Sequence, residues 1–239
     1  MGTCVDFHSH ILPCVDDGSH SVAESLEMLR AEARQGVTCV VATPHFYANH
    51  DTPERFLRRR AAAWETLQAA MAGEDGLPEV ILGAEVYYFP GISDSDQLHR
   101  LTIGQKRYIM LEMPHVPWTQ SMFQEMENLH RKHGITPIIA HIDRYISPFR
   151  THGIPRRLED LPVLVQANGS FFTQPFTAPM AMRMLKEKRI HLLGSDCHNC
   201  SDRKPDLGRA VQKIEKFLGK SALEHLRHHE GVVLSPEDP

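Results

Sequence analysis

The sequence predicts an α/β protein in which parallel strands close into a distorted (β/α)7 barrel, similar to a TIM barrel. Short apolar, β-branched runs recur along the 239 residues, and stretches with helical spacing separate them. The chain length and an apolar content of 41% suit one large α/β domain better than two. We therefore expect residues 1–239 to form a single domain.

Seven apolar runs are the predicted strands, and they cover residues 3–8, 37–43, 79–85, 108–112, 136–141, 163–168 and 190–196. Helices are predicted near residues 21–34, 53–71, 120–133, 178–188, 206–218 and 222–229. The first helix has Ser19 or Ser21 as its N-cap and Gly36 after its end, and Gly134 follows the third helix in the same way.

Composition excludes several classes of protein. A formal net charge of −4 gives no reason to expect nucleic acid. No apolar run approaches the ~20 residues that cross a bilayer, so we expect no membrane insertion. Asp6 and His8 interrupt the stretch where a signal peptide needs a continuous apolar region, which predicts a cytoplasmic protein. Five cysteines are too few for a disulfide framework, so reduced thiols are expected.

Metal-ligand residue types stand at the carboxyl ends of six predicted strands or directly after them. These residues are His8, His10, Asp17, His45, Glu85, Glu112, His141, Asp196 and His198, with Asp16 as a rival to Asp17. A single histidine at a strand end is usually a hydrogen-bonded surface residue. In a parallel barrel, however, these ends converge, and nine such groups would repel each other unless cations bound there. Imidazole with carboxylate suits Mn, Fe or Zn.

Clustered divalent ions suit in-line displacement at phosphorus, because they activate water and stabilise the entering and leaving oxygens. Phosphoryl transfer also needs positive charge on the equatorial oxygens, and a guanidinium fork fits them well. Arg144 stands three residues past His141, and Arg203 stands five residues past His198. These two arginines are the candidate catalytic and phosphate-binding residues. Tyr47 is the candidate for stacking on a substrate ring, among the loop aromatics Phe46, Tyr47, Tyr88, Phe89, Trp118, Phe171, Phe172 and Phe176.

Cys197 and Arg203 have the Cys-x5-Arg spacing of phosphatases that use a thiolate nucleophile. That mechanism needs a low thiol pKa, whereas Cys197 stands between Asp196 and His198 with no glycine in the intervening loop. Cys197 and Cys200 also lack the second cysteine pair of a zinc site. We therefore expect both cysteines to be packing residues.

Five motifs in order carry a resemblance to a known family: DFHSHILPCVDDG, ATPH, GAE, AHIDR and GSDCHN. The chain resembles the polymerase-and-histidinol-phosphatase (PHP) family, and within it the bacterial manganese-dependent protein-tyrosine phosphatases linked to capsular and exopolysaccharide synthesis. The resemblance implies one PHP-type metal-dependent phosphatase domain with three divalent ions. Manganese is expected, and iron and zinc remain open.

Carried over by motif, the resemblance implies three ligand sets. The first is His8, His10, Glu85 and Asp196, the second is Glu85, Glu112 and His141, and the third is Asp17, His45 and His198. Asp17 is preferred to Asp16 on the family's Asp-Asp-Gly pattern. The implied substrate is a phosphotyrosine protein, such as a bacterial tyrosine kinase. Two alternatives stay open: a phosphatase for small esters such as histidinol phosphate, and a non-catalytic scaffold stabilised by metal. An amidohydrolase barrel would usually show an eighth strand and a bridging lysine where Glu112 stands.

Overall fold

Parallel strands form the centre of the computed structural model, which describes residues 4–147, 151 and 153–235. The strands are β1 (Cys4–Ser9), β2 (Val37–Ala42), β3 (His45–Phe46), β4 (Glu79–Leu82), β5 (Glu85–Tyr87), β6 (Tyr108–Glu112), β7 (Thr136–Ile139), β8 (Leu164–Asn168) and β9 (Leu192–Gly194). Two sheets result, in the orders β1-β2-β4 and β3-β5-β6-β7-β8-β9. All of their strand pairs are parallel.

The two sheets are continuous along the chain, because β3 continues β2 and β5 continues β4. The last strand also returns to the first: the amide of Asp196 donates to the carbonyl of His8 at 2.7 Å, and the amide of His10 donates to the carbonyl of Cys197 at 2.9 Å. The strands therefore occupy seven positions around a ring. This confirms the predicted distorted (β/α)7 barrel.

The prediction of one unbroken strand over residues 79–85 is wrong. The strand is interrupted after Leu82. The neighbouring strand position is interrupted at the same level, at Pro44 between β2 and β3. Pro44 has no amide to donate to a ladder. Across this break the amide of Gly83 donates to the carbonyl of Ala42 at 2.8 Å, and that of Glu85 donates to Pro44 at 3.1 Å. Both strand positions are thus interrupted together, just before His45 and Glu85.

Helices connect most of the strands: α1 (Val22–Arg34), α2 (Pro53–Met71), α3 (Gln120–His133), α4 (Ile154–Glu159), α5 (Gly169–Thr173), α6 (Ala178–Lys186), α7 (Leu207–Leu218) and α8 (Lys220–Leu234). Ser21 is the N-cap of α1, and its side chain accepts from the Glu24 amide. Gly134 ends α3 with φ of 65°, as its position predicted. The short helices α4 and α5 were not predicted, and α8 is longer than its apolar spacing indicated.

Buried apolar residues lie both inside the barrel and between the strands and helices. Phe7, Val41 and Ile138 belong to the inner cluster, which also contains Val233 from the end of α8. Lys106, just before β6, donates to the carbonyl of Leu234 at 2.6 Å. The end of α8 therefore covers the amino end of the barrel, and the polar residues gather at the opposite end. Among the described residues, no helix is long and apolar enough to cross a bilayer.

Candidate metal centre

The nine predicted ligands gather at the carboxyl end of the barrel. Donor atoms of His10, Asp17, His45 and His198 lie within 4.8 Å of one another, as do those of His8, His10 and Glu85 and those of His45, Glu85 and Glu112. His141 and Asp196 border these groups. The grouping differs from the predicted sets in two respects: His10 lies near the third set as well as the first, and His45 lies near Glu85 and Glu112 of the second set as well as in the third.

Glu85 is the centre of the cluster. Its Oε2 atom lies 3.1 Å from His8 Nε2, 3.3 Å from His10 Nε2 and 3.0 Å from His45 Nδ1, and its Oε1 atom lies 2.9 Å from His141 Nε2. Donor atoms at about 2.1 Å from one ion stand about 3.0 to 3.4 Å apart in octahedral or tetrahedral geometry. The spacing around Glu85, which also suits hydrogen bonds, therefore fits ligands around shared cations.

Asp196 lies beside His8 and His10 and accepts hydrogen bonds from two guanidinium groups. Its Oδ1 atom is 3.7 Å from His8 Nε2 and 3.6 Å from His10 Nε2. Arg203 Nη2 donates to Oδ1 at 3.0 Å, and Arg144 Nη2 donates to Oδ2. Both arginines predicted to contact phosphate thus reach the cluster itself.

Asp17 and Glu112 complete the cluster from opposite sides. Asp17 Oδ1 is 3.6 Å from both His45 Nε2 and His198 Nε2, and its side chain is 64% exposed. Glu112 has one oxygen 3.8 Å from His45 Nδ1 and the other 3.7 Å from His141 Nε2. Asp17 therefore stands at the solvent side, where a substrate would approach.

Several buried polar atoms of the cluster have no hydrogen-bond partner. Among the described residues, seven buried side-chain nitrogen or oxygen atoms have no hydrogen-bond partner, and five of them belong to predicted ligands. These five are Glu85 Oε2, Glu112 Oε2, His45 Nδ1, His141 Nδ1 and His198 Nε2. Buried polar groups without partners are costly, and bound cations would relieve that cost. The residues present therefore fit a group of divalent metal ions.

The titration of the cluster reflects the same crowding. Burial favours the protonated form of Glu85, yet the surrounding imidazoles, His8 first among them, hold the pKa of its carboxyl well below the usual range. Burial and the nearby Glu85 carboxylate raise the pKa of Glu112. Burial and the neighbouring His10 lower the pKa of His198 to about 4, which keeps its imidazole neutral and able to ligate metal.

Asp16 takes a different position from Asp17. Its Oδ2 atom accepts from His10 Nδ1 at 2.7 Å and from the His45 amide at 2.8 Å, and its Oδ1 atom accepts from the Gly18 amide at 3.0 Å. Because Nδ1 of His10 donates to this carboxylate, the Nε2 lone pair of His10 faces the cluster. Asp16 thus orients a predicted ligand, and Asp17 is the carboxylate that faces His45 and His198.

Strand β8 supplies residues that the sequence reasoning missed. Gln166 Oε1 accepts from the His141 amide at 2.5 Å and lies 3.3 Å from His8 Nδ1. Gln166 Nε2 donates to Asn168 Oδ1 at 3.0 Å, and Asn168 Nδ2 donates to Asp196 at 3.3 Å. This chain of amides positions three predicted ligands. The available signal was two polar residues at alternating positions in an otherwise apolar run.

Two predicted ligands have strained backbones. His141 and Asp196 have φ of 31° and 55°, in the left-handed region that residues other than glycine seldom adopt. Such conformations persist where the surrounding structure fixes them, and they concentrate at functional sites. The predicted strands 136–141 and 190–196 accordingly end early, at Ile139 and Gly194.

Tyr47 borders the cluster, and its contact with substrate stays a prediction. Its ring centroid is 5.2 Å from that of His45 and 5.6 Å from that of Tyr87. Burial and the nearby Glu112 raise the pKa of its phenol, so the hydroxyl stays protonated. Of the other loop aromatics, five are buried, Phe89 is partly buried and Phe176 is 67% exposed; the buried ones are Phe46, Tyr88, Trp118, Phe171 and Phe172.

Cys197 faces away from the cluster. Its side chain is fully buried, and its Sγ atom lies 3.9 Å from Glu32 Oε1. Burial raises the pKa of the Cys197 thiol well above its usual value, and the acids Glu32 and Asp6 raise it further. This environment is the opposite of one that generates a nucleophilic thiolate.

Comparison with known proteins gives consistent matches along almost the whole chain. Tyrosine-protein phosphatase YwqE of Bacillus subtilis is 28% identical over 222 residues, which are 90% of this chain and 85% of that protein. Tyrosine-protein phosphatase CpsB of Streptococcus pneumoniae is 29% identical over 234 residues, covering 93% and 94% of the two chains.

The fold is also found in solved structures. A chain from the crystal structures of YwqE and CpsB, described as unique metal-dependent tyrosine phosphatases, has a TM-score of 0.83 at 25% identity and covers 98% of this chain and 95% of its own. A TatD-family hydrolase from Entamoeba histolytica has a TM-score of 0.52 at 9% identity, which shows a shared fold alone. A family model for capsular polysaccharide synthesis proteins of the CpsB/CapC type matches residues 4–234. With that match extending over both the barrel and every predicted ligand, the chain belongs to the CpsB/CapC family of capsular polysaccharide synthesis proteins.

Proposed function

We propose that this protein is a metal-dependent phosphatase that hydrolyses phosphotyrosine in proteins. The observation that carries the proposal is the convergence of nine imidazoles and carboxylates, with Glu85 at their centre and two guanidinium groups bound to the adjoining Asp196. Phosphotyrosine as the substrate class is supported by the relatives YwqE and CpsB, which are named tyrosine-protein phosphatases.

Three divalent ions are proposed, with manganese preferred and iron or zinc also compatible with the donor set. The ligand sets are His8, His10, Glu85 and Asp196, then Glu85, Glu112 and His141, then Asp17, His45 and His198. When bound, such ions supply a hydroxide nucleophile at neutral pH and stabilise the entering and leaving oxygens.

Arg144 and Arg203 are proposed to bind the equatorial oxygens of the phosphate. Both guanidiniums contact Asp196, and Arg203 Nη1 is also 3.6 Å from Asp17 Oδ2. When these carboxylates bind cations, their charge is shared, and the guanidiniums can turn to phosphate as planar forks. Tyr47 is proposed to stack on the phenyl ring of phosphotyrosine, since its own ring borders His45.

The proposed partner is a bacterial tyrosine kinase or a substrate of that kinase in capsule or exopolysaccharide synthesis, which would place the reaction in the cytoplasm. Membership of the CpsB/CapC family supports the link to capsule synthesis.

Hydrolysis of a phosphotyrosine peptide by the purified protein tests the function. Activity should require added Mn²⁺, disappear with a chelator and return with the metal, while elemental analysis gives the ion count. Activity that persists after complete metal removal would contradict the proposal. Histidinol phosphate serves as the comparison substrate, and a higher kcat/KM for it than for the peptide would favour a small-ester phosphatase. Asp196→Ala distinguishes a phosphatase from a metal-stabilised scaffold. If the metals are only structural, the variant should lose stability, and the molecules that remain folded should show no separate defect in turnover.

A further inference from the structure

A cleft of about 180 Å³ opens beside the metal centre, between the loop that follows β6 and the beginning of α4. It is lined by His115, Val116, Pro117, Trp118, Arg144, Tyr145 and Ile154. No residue of the proposed metal-ligand sets lines it, and Arg144, proposed to bind the phosphate, is the lining residue that the cleft shares with the centre.

Two residues connect the cleft with the centre. Arg144 lines the cleft, and its guanidinium donates to Asp196. The ring centroid of Tyr145, which forms part of the wall, is 5.6 Å from that of His141. A substrate polypeptide that places its phosphate at the metal centre therefore passes the opening of this cleft. Tyr47 borders the centre at β3, whereas the cleft borders it at β6 and β7.

The walls of the cleft combine five aliphatic or aromatic side chains with the guanidinium of Arg144 and the imidazole of His115, and packing and hydrogen bonds hold them in place. Trp118 packs edge-on against Tyr145 with ring centroids 5.0 Å apart, and His115 lies 5.4 Å from the same ring. The Tyr145 hydroxyl accepts from the Met113 amide at 2.9 Å, which fixes the ring. Burial lowers the pKa of His115 and keeps its imidazole neutral, and the positive charge of Arg144 acts in the same direction. None of the described lining residues is acidic.

Val116, one of the lining residues, is exposed to solvent. It is 55% exposed, and it is one of three large apolar residues at least this exposed among those described. An exposed apolar residue beside an apolar cleft next to a reaction centre is typical of a binding subsite.

We propose that the cleft binds an apolar side chain of the substrate protein, at a position adjacent to the phosphotyrosine. This rests on the proposed function, and it makes the lining a determinant of which phosphotyrosines are hydrolysed. A leucine or phenylalanine side chain matches the volume and the apolar walls. Neighbouring side chains of an extended peptide point in opposite directions, so the phosphotyrosine can enter the centre while its neighbour enters the cleft.

Three phosphotyrosine peptides test the proposal: one with glycine on both sides of the phosphotyrosine, one with leucine before it and one with leucine after it. With Mn²⁺ present, one leucine peptide should have a kcat/KM about tenfold above the glycine peptide. Val116→Asp should reduce this ratio to about one, because a carboxylate at the rim disfavours an apolar side chain. Val232→Asp, at an exposed apolar residue of α8, is the matched control and should preserve the ratio.

The ratio cancels any general loss of activity in a variant. Equal kcat/KM for all three peptides in the wild-type protein, or a leucine preference that Val116→Asp retains, would overturn the proposal. The phosphatase function is tested separately by the wild-type protein, since absence of metal-dependent hydrolysis of free phosphotyrosine and of all three peptides would contradict that function instead.

Discussion

Asp16 accepts a hydrogen bond from His10 Nδ1 at 2.7 Å and, through the same oxygen, one from the amide of His45 at 2.8 Å. One carboxylate therefore fixes the ring of one proposed ligand and the backbone of another. The contact with His10 fixes its tautomer and increases the basicity of its Nε2 atom, which faces Glu85.

Asp16→Ala should lower the affinity for Mn²⁺ about 10- to 100-fold, because His10 loses the partner that orients it. Isothermal titration of metal-free protein with Mn²⁺ measures the change. The Mn²⁺ affinity of Asp16→Asn should lie between those of the wild-type protein and Asp16→Ala, since an amide oxygen still accepts from His10. Asp96→Ala, at an exposed acid, is the matched control. An unchanged affinity in Asp16→Ala would show that His10 needs no such support.

Arg144→Ala and Arg203→Ala should each lower kcat on phosphotyrosine about 10²- to 10³-fold, the usual cost of losing one preorganised donor to the transition state. Lysine should restore little, because an ammonium cannot bind two phosphate oxygens as a planar fork. Steady-state kinetics measures the loss, with Arg55→Ala as the exposed control. A raised KM at unchanged kcat would instead assign these arginines to ground-state binding.

The sequence was sufficient to bring the candidate ligands together, because one rule covers them all: the carboxyl ends of parallel strands meet at one end of a barrel. His8 and Asp196 stand near or just beyond two such ends, and Glu85 begins β5, the short last segment of a third strand position, so their convergence did not depend on loop geometry. The contacts of Arg144 and Arg203 could not be predicted in the same way. That Asp196 receives both guanidiniums depends on the conformation of the loops, which periodicity does not encode.

Other features depend on contacts between segments distant in sequence. Gln166 and Asn168 have side chains that are uncommon as metal ligands, and their role emerges once β8 lies beside His141 and Asp196. The break after Leu82 arises from Pro44 in the neighbouring strand position, since residues 79–85 read alone as one apolar run. Short helices such as α4 have too few residues for a periodic pattern.

Gly194→Ala should disrupt the centre, because a Cβ atom at this position would lie 2.5 Å from the Cβ atom of His8 and 2.6 Å from Gln166 Nε2. Either β9 or His8 must then move, and a large loss of bound Mn²⁺ and of activity is expected. Elemental analysis and kinetics measure both. Gly231→Ala in α8 meets no atom within 4 Å and should leave activity intact while stabilising the helix by about 0.5–1 kcal/mol. Full metal content in Gly194→Ala would refute this steric explanation.

Cys197→Ala should leave the metal-dependent turnover of phosphotyrosine close to that of the wild-type protein. The thiol is buried toward Glu32, and burial raises its pKa, so it cannot serve as the nucleophile. Kinetics with Mn²⁺ checks the prediction, and thermal unfolding reports any loss of packing separately. Complete inactivity of a folded, metal-loaded Cys197→Ala would favour the thiolate mechanism that the Cys-x5-Arg spacing permits.

Glu230 on α8 is a buried carboxyl that makes the stability of the fold depend on pH. Burial raises its pKa to about 7, although the Val5 amide donates to it. The folded state therefore keeps Glu230 protonated where the unfolded chain, with an ordinary pKa of 4.5, has already lost the proton. Its contribution to stability is complete below about pH 4.5 and is lost as the pH rises towards 7.

Glu230→Gln removes this titration while keeping an oxygen that accepts from Val5. We expect the variant to raise the free energy of unfolding at pH 8 by up to about 3 kcal/mol relative to the wild-type protein, and to change it little at pH 4.5. Urea unfolding at the two pH values measures the difference. Glu224→Gln, at an exposed position of the same helix, should show no such dependence. An equal gain at both pH values would mean that packing, and not the avoided ionisation of Glu230, stabilises the variant.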